Sequence, residues 1–201
     1  VILAINSVFS ALTCLVIYRI GQRTFGETVA RWAAWSWALF PYFIYWPVRV
    51  VWETSLSTFL LAVAFLQTLR IDARPRRRDW VALGLLWGVI ALTNPAMLSF
   101  LPFSLGWLWF RLRRRGTAAS LDAALTLFLC LVVVTPWLVR NYLVFGKFVF
   151  IRDNFGMELY LSNNARSGGY WTRDEHPGSS FAEMERMRDM GEVAYMKARQ
   201  E

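Results

Sequence analysis

The chain has 201 residues, of which 56% are hydrophobic, 16% aromatic and 18% charged, against about 25% charged in an ordinary soluble domain. A soluble fold of this length cannot hide so much apolar surface, which excludes a purely aqueous protein. Residues 1–139 carry 13 Arg, no Lys and 5 acidic residues, so the whole net charge of +8 lies there; residues 140–201 balance 9 basic against 9 acidic side chains.

Apolar stretches run over residues 1–18, 32–46, 54–69, 80–93, 96–110 and 121–138. No basic leader precedes the first, so no signal peptide is expected, and the chain reads as cut from a longer protein at both ends. Cys14 and Cys130 lie inside apolar runs and read as small buried hydrophobes. The connection at 19–31 holds 3 Arg, that at 70–79 holds 5 and that at 111–120 holds 4, whereas 47–53 holds Arg49 alone and 94–95 none. This alternation is the positive-inside pattern. It predicts six crossings, with the basic connections cytoplasmic and everything after Arg140 on the far side. The fourth and fifth stretches are short, about 22 Å of helix each, so they span a thinned bilayer or form a hairpin with its tip at Asn94-Pro95. Gly84-x-x-x-Gly88 permits close helix approach. Trp32, Trp46, Trp52, Trp80, Trp107, Trp109 and Trp137 lie near segment ends, as an interfacial belt requires. The runs at 76–78 and 113–115 read as topology signals and contacts to anionic lipid, not as a nucleic-acid surface.

Beyond the last span the pattern changes. Residues 147–152 read as a short extended piece, Asn154 as the cap of a helix over 155–161, and 163–178 as a polar loop. Ser180 and Glu183 form a capping-box pattern. It opens a helix with Met184, Met187, Gly191, Ala194 and Ala198 on one face. The predicted fold is therefore an all-α polytopic membrane protein of about six transmembrane or half-spanning helices, residues 1–140, followed by a small, mainly helical, non-cytoplasmic tail, residues 141–201.

Polar side chains at membrane depth must be paired or functional. Asn6, Ser7 and Thr13 lie in the first stretch. Arg49 and Glu53 lie on the second outer connection, four residues apart and able to pair if helical. Asn94 lies at the hairpin tip, and Arg140 and Asn141 where the last span emerges. All the strong ones map to the outer side, which suits an anionic, membrane-delivered substrate gripped by Arg. Each also has a plain structural role open to it: Glu53 at a positive helix N-terminus or beside Arg49, Arg140 as an interfacial anchor, Asn94 as a turn residue before Pro95. His176 has no His or Cys partner nearby, so no metal is expected.

The run Thr135-Pro136-Trp137-Leu138-Val139-Arg140-Asn141-Tyr142-Leu143-Val144-Phe145-Gly146 resembles the P-W-x-x-R-N-Y-x-x-F-G signature of membrane glycosyltransferases with the C-type fold. That group includes protein O-mannosyltransferases, aminoarabinose transferases and the lipopolysaccharide-core transferases of rhizobia. Glu53-Thr54, Leu92-Thr93-Asn94-Pro95 and Leu161-Ser162-Asn163-Asn164 fit in order, although Asn94 stands where relatives commonly have Arg and Ser162 where they commonly have Gly. The resemblance implies transfer of a sugar from a polyprenyl-phosphate carrier to a lipid, glycan or protein acceptor at the non-cytoplasmic face of a bacterial inner membrane, without a cofactor. It also implies a catalytic carboxylate on an outer loop upstream of Val1, leaving Glu53 as the candidate base within this chain. Arg49 and Arg140 then meet phosphate, and Glu53, Asn94, Asn141, Asn163 and Asn164 meet substrate. The isolated chain is expected to be inactive. A transporter or flippase-like protein for lipid-linked saccharides is the alternative; inverted repeats or paired broken helices would mark it, and neither is visible.

Overall fold

The computed structural model describes residues 1–152, 154–163 and 176–199. These form helices joined by short connections, with no β-strand among the described residues, and divide into two compact units, Val1–Pro136 and Trp137–Glu201.

The first unit begins with α1 (Ile2–Thr24), α2 (Glu27–Leu39) and α3 (Pro41–Arg49). Only 11% of the apolar stretch of α1 is buried, and its buried residues are Asn6, Thr13 and Gly21. This inverts the rule for soluble proteins: in lipid the apolar face turns outward, and small or polar residues make the helix contacts. The indole N–H of Trp37 donates to the Ser10 carbonyl at 3.1 Å, and the Cys14 thiol to the Ala34 carbonyl at 3.3 Å, fastening α2 to α1. The second apolar stretch is one run in the sequence but two helices in the structure. Pro41 disfavours helical backbone at the residue before it, and Phe40 is accordingly extended at φ −68°, ψ 120°.

The next helices are α4 (Thr54–Ala73), α5 (Arg77–Thr93) and α6 (Phe100–Arg114), the last two joined by a 3-10 turn over Pro95–Ser99. α7 covers Ser120–Phe145. Ala64, Ile71, Trp80, Leu83, Trp87, Leu105, Leu108 and Cys130 build the core among these helices. Trp80 is therefore a core residue, not a member of the interfacial belt; it is fully buried, whereas Trp32, Trp52, Trp107, Trp109 and Trp137 are exposed. The Trp80 and Trp87 indole nitrogens have no hydrogen-bond partner among the described residues. Gly84 and Gly88 are where α5 meets α7. A Cβ on Gly84 would come within 2.7 Å of the Thr126 carbonyl oxygen, and one on Gly88 within 2.5 Å of the Val133 Cβ. The Thr126 hydroxyl closes the same contact by donating to the Trp80 carbonyl at 3.1 Å.

Among the described residues, three helices, α1, α4 and α7, are long and apolar enough to cross a membrane. With 17 and 15 residues, α5 and α6 reach about 25 and 22 Å, short of a hydrocarbon core of about 30 Å.

In the second unit, α8 (Phe155–Asn163), α9 (Phe181–Met190) and α10 (Glu192–Ala198) follow the end of α7. Residues 147–152 form no strand. The sequence predicts one terminal helix, but Gly191 takes φ 79°, a left-handed conformation natural to glycine, and splits it into α9 and α10. The capping box is not formed either: the Ser180 side chain makes no cap bond. Glu183 instead accepts from the Tyr195 hydroxyl at 2.7 Å and pairs with Arg199, tying α9 to α10. Burial opposes ionisation of Glu183, but the hydrogen bonds from Tyr195 and Arg199 outweigh it and hold its carboxyl below the usual range.

Candidate functional site

The sequence candidates fall into two groups, one in each unit. In the first unit, Arg49 closes α3, and its guanidinium lies 5.6 Å from the Tyr45 ring centroid. The chain leaves the helix at Val50 (φ −116°, ψ 122°), so Arg49 and Glu53 do not share the helical turn that the four-residue spacing suggests. Glu53 is the N-cap residue of α4, where its charge suits the positive end of the helix. The connection between them is pinned from below: the buried Asn6 amide donates to the Val50 and Trp52 carbonyls at 3.3 and 3.4 Å. Asn6 reads as an isolated polar residue in the sequence, because its partners lie more than forty positions away. Asn94 caps the 3-10 turn, its side chain accepting from the Ala96 N–H at 3.1 Å.

The second group lies at the end of α7. Its 26 residues reach about 39 Å, longer than a hydrocarbon core of about 30 Å, so its terminal turns emerge. Asn141 is buried there and fully engaged. Its Nδ2 reaches the Val149, Phe150 and Ile151 carbonyls at 3.4, 3.0 and 3.4 Å, and its Oδ1 accepts from the Arg140 guanidinium at 3.0 Å. The Trp137 indole donates to the same Ile151 carbonyl at 3.1 Å. These bonds dock a strandless segment onto the helix end and give its carbonyls partners that a sheet would otherwise supply. Arg140 is held from two sides, with its guanidinium 5.1 Å from the Trp137 centroid and 5.9 Å from that of Phe145. A cavity of about 290 Å³ opens beside it, with Arg152, Asn154 and Glu192 on its wall.

Arg152 and Glu192 line this cavity without any signal in the sequence. Arg152 ends an irregular stretch, and Glu192 reads as an ordinary acid in the first turn of a helix. Asn163 is exposed at the end of α8, its amide donating to the Leu159 carbonyl at 2.9 Å; Asn164 lies outside the described residues.

The P-W-x-x-R-N-Y-x-x-F-G run thus has a local physical reading. Trp137 and Asn141 clamp the following segment, Arg140 faces a cavity, and Gly146 ends the helix, its N–H donating to the Tyr142 carbonyl at 2.9 Å. Helices as long and apolar as α1, α4 and α7 are those of an integral membrane protein, and the family match below places the chain among the membrane glycosyltransferases of the C-type fold. Residues 1–139 match the family described as dolichyl-phosphate-mannose-protein mannosyltransferase, and the chain belongs to it; it is a membrane glycosyltransferase. No curated protein and no solved structure matches the chain.

Proposed function

We propose that this glycosyltransferase draws its sugar from a polyprenyl-phosphate carrier at the non-cytoplasmic face of a bacterial inner membrane, and that Arg140 grips the carrier phosphate. The observation that carries the reading is the setting of Arg140. Its guanidinium is oriented by Asn141 and two aromatic rings at the wall of a cavity that also holds Arg152. The phosphate of a membrane-embedded carrier lies at the depth where the last span emerges, and two arginines there stabilise the negative charge that builds as the glycosidic bond to phosphate breaks. Glu192 supplies a carboxylate on the same wall, suited to sugar hydroxyls. Residues 1–140 form the membrane domain in this reading and 141–201 the outer tail. Arg49 and Glu53 serve phosphate and sugar at their own connection, and Asn94 and Asn163 serve sugar hydroxyls. The acceptor is a lipid, glycan or protein.

Arginine presents two parallel donors to phosphate oxygens, whereas lysine is a point charge. In the full-length enzyme, Arg140→Ala is expected to lower donor affinity and turnover. Loss of a charge-assisted contact of about 1.5–3 kcal/mol corresponds to a defect of roughly 10- to 150-fold. Arg140→Lys should recover only part of it. A residue that merely anchors the helix snorkels equally well as lysine, so wild-type kinetics for Arg140→Lys beside a mild Ala defect would overturn the assignment.

A further inference from the structure

At the basic end of the first unit lies a second cavity, of about 580 Å³, lined by Arg23, Arg70, Arg74, Arg76 and Arg78 together with Asp72 and Asp79. Three helices deliver these cations: Arg23 from the last turn of α1, Arg70 and Arg74 from the end of α4, and Arg76 and Arg78 from the start of α5.

The two acids offset these charges only in part, and neither forms an ion pair with the five arginines among the described residues. Asp72 is taken by the end of α6, in ion pairs with Arg111 at 3.2 Å and Arg115 at 3.4 Å, and its own carbonyl accepts from Arg115 at 2.6 Å. Asp79 accepts from the Gln67 amide at 3.2 Å. Among the described residues, the only hydrogen bond of the Arg70 guanidinium is to the Gln67 side-chain oxygen, at 3.5 Å. Arg23, Arg74, Arg76 and Arg78 make no ion pair or hydrogen bond among the described residues. Five guanidinium groups thus share one concavity, and four of them have no polar partner among the described residues.

Two of the five are also badly placed for their own helix. Arg76 is the N-cap residue of α5 and Arg78 lies in its first turn, where the helix dipole is positive and cations are disfavoured. Topology alone requires only that arginines stand on this side; it does not require them to converge on one cavity or to crowd a helix start. Both features raise the energy of the empty site, and a bound anion lowers it.

We propose that this cavity is a binding site for a multiply charged phosphate group, a phosphomonoester or diphosphate, carried by a lipid headgroup or free in solution. A phosphomonoester offers three acceptor oxygens and close to two negative charges, and Arg forks match its geometry. The Leu69 and Ala73 side chains on the cavity wall suit the glycerol or alkyl portion next to a headgroup. The site does not depend on the proposed sugar donor, and it lies in a different unit from Arg140.

Purified full-length protein titrated with dioctanoyl phosphatidic acid, dioctanoyl phosphatidylcholine or inorganic pyrophosphate, with the unfolding temperature as readout, tests this. Phosphatidic acid, pyrophosphate or both should raise the unfolding temperature saturably, and phosphatidylcholine should not. Stabilisation by phosphatidic acid alone identifies a lipid source, and by pyrophosphate alone a soluble one. The Arg74→Gln/Arg78→Gln double variant should weaken the apparent affinity at least about tenfold. The Arg77→Gln/Arg113→Gln variant removes the same charge outside the cavity and should leave the affinity near wild type. Absence of stabilisation by either phosphate compound, or equal losses in the two double variants, would overturn the proposal, since equal losses mean that only bulk charge is sensed.

Discussion

Asn141 shows how one side chain can organise an emergent helix end. Its amide hydrogens face three carbonyls and its oxygen orients Arg140, so the residue acts on the cavity through its neighbours. Asn141→Ala removes both functions and leaves carbonyls without a donor, a loss of about 1–3 kcal/mol. Asn141→Asp keeps the shape but turns a carboxylate toward those carbonyls, and should lower the unfolding temperature further than Ala does. Equal unfolding temperatures for the two variants would show that the amide N–H is not what holds the segment. The position of Arg140 and Asn141, together where a span emerges, is legible in the sequence, but their bond to each other is not. What Asn141 binds is not legible, because its partners belong to a segment with no periodic pattern of its own. Glu192 is hidden for a related reason: a first-turn acid has an ordinary explanation in the helix dipole, and only the folded chain sets it beside Arg140 at one cavity.

Among elements, helix contacts in this protein depend on the absence of side chains as much as on their presence. Gly84 and Gly88 lie one turn apart on α5, yet adding a methyl group at each meets a different obstacle. At Gly88 the nearest atoms are all in the Val133 side chain; at Gly84 the nearest is the Thr126 backbone oxygen. Gly88→Ala should therefore cost about 1–3 kcal/mol through overpacking. Val133→Ala, which trims the Cγ atoms at 2.7 and 3.0 Å but leaves the Cβ at 2.5 Å, should relieve it only in part, and Val133→Gly should relieve it further. Gly84→Ala should resist rescue by truncating Leu129, because backbone cannot be trimmed. Unfolding temperatures of the single and double variants check both statements. The small-x-x-x-small pattern makes this contact visible in the sequence. The break at Pro41 escapes the apolar pattern, because hydrophobicity continues across it while backbone geometry does not. The break at Gly191 escapes for the opposite reason: its place on the apolar face of a helical repeat masks its left-handed backbone.

The hairpin of α9 and α10 carries a pH signature. The Glu183 carboxyl titrates below its ordinary value because the folded state favours its charged form. A depressed folded pKa stabilises above the unfolded value of about 4.3, and the contribution is lost as pH falls through the folded value. Amide exchange in α9 and α10 should quicken as pH is lowered through and below pH ~4, after correction for intrinsic rates. Glu183→Gln should show fast exchange at neutral pH and little further acceleration on acidification. An acid response preserved in Glu183→Gln would assign the effect to another group.

At the scale of the molecule, the placement of arginine predicts how the chain threads the bilayer. Twelve of the 13 Arg before residue 140 fall in alternate connections, and charge asymmetry of that kind sets orientation in the bilayer. Arg49 and Arg140 stand apart from that set. The helix lengths alone do not decide how the chain threads, since only α1, α4 and α7 have the length and apolarity to cross unaided, and α2 with α3, or α5 with α6, are each short. The charge rule predicts that α5 and α6 begin and end on the same side, as a hairpin about the Pro95–Ser99 turn, whatever depth its tip reaches. Single cysteines in a background lacking Cys14 and Cys130 test the arrangement with a membrane-impermeant thiol reagent. Positions 77 and 113 should label only after the membrane is opened from the cytoplasmic side, and positions 49 and 179 without permeabilising the inner membrane. Labelling of 77 and 113 on opposite sides would mean that α5 and α6 contribute an odd number of crossings. The basic connections would then no longer share a compartment, and the non-cytoplasmic placement of Arg140 would lose its support.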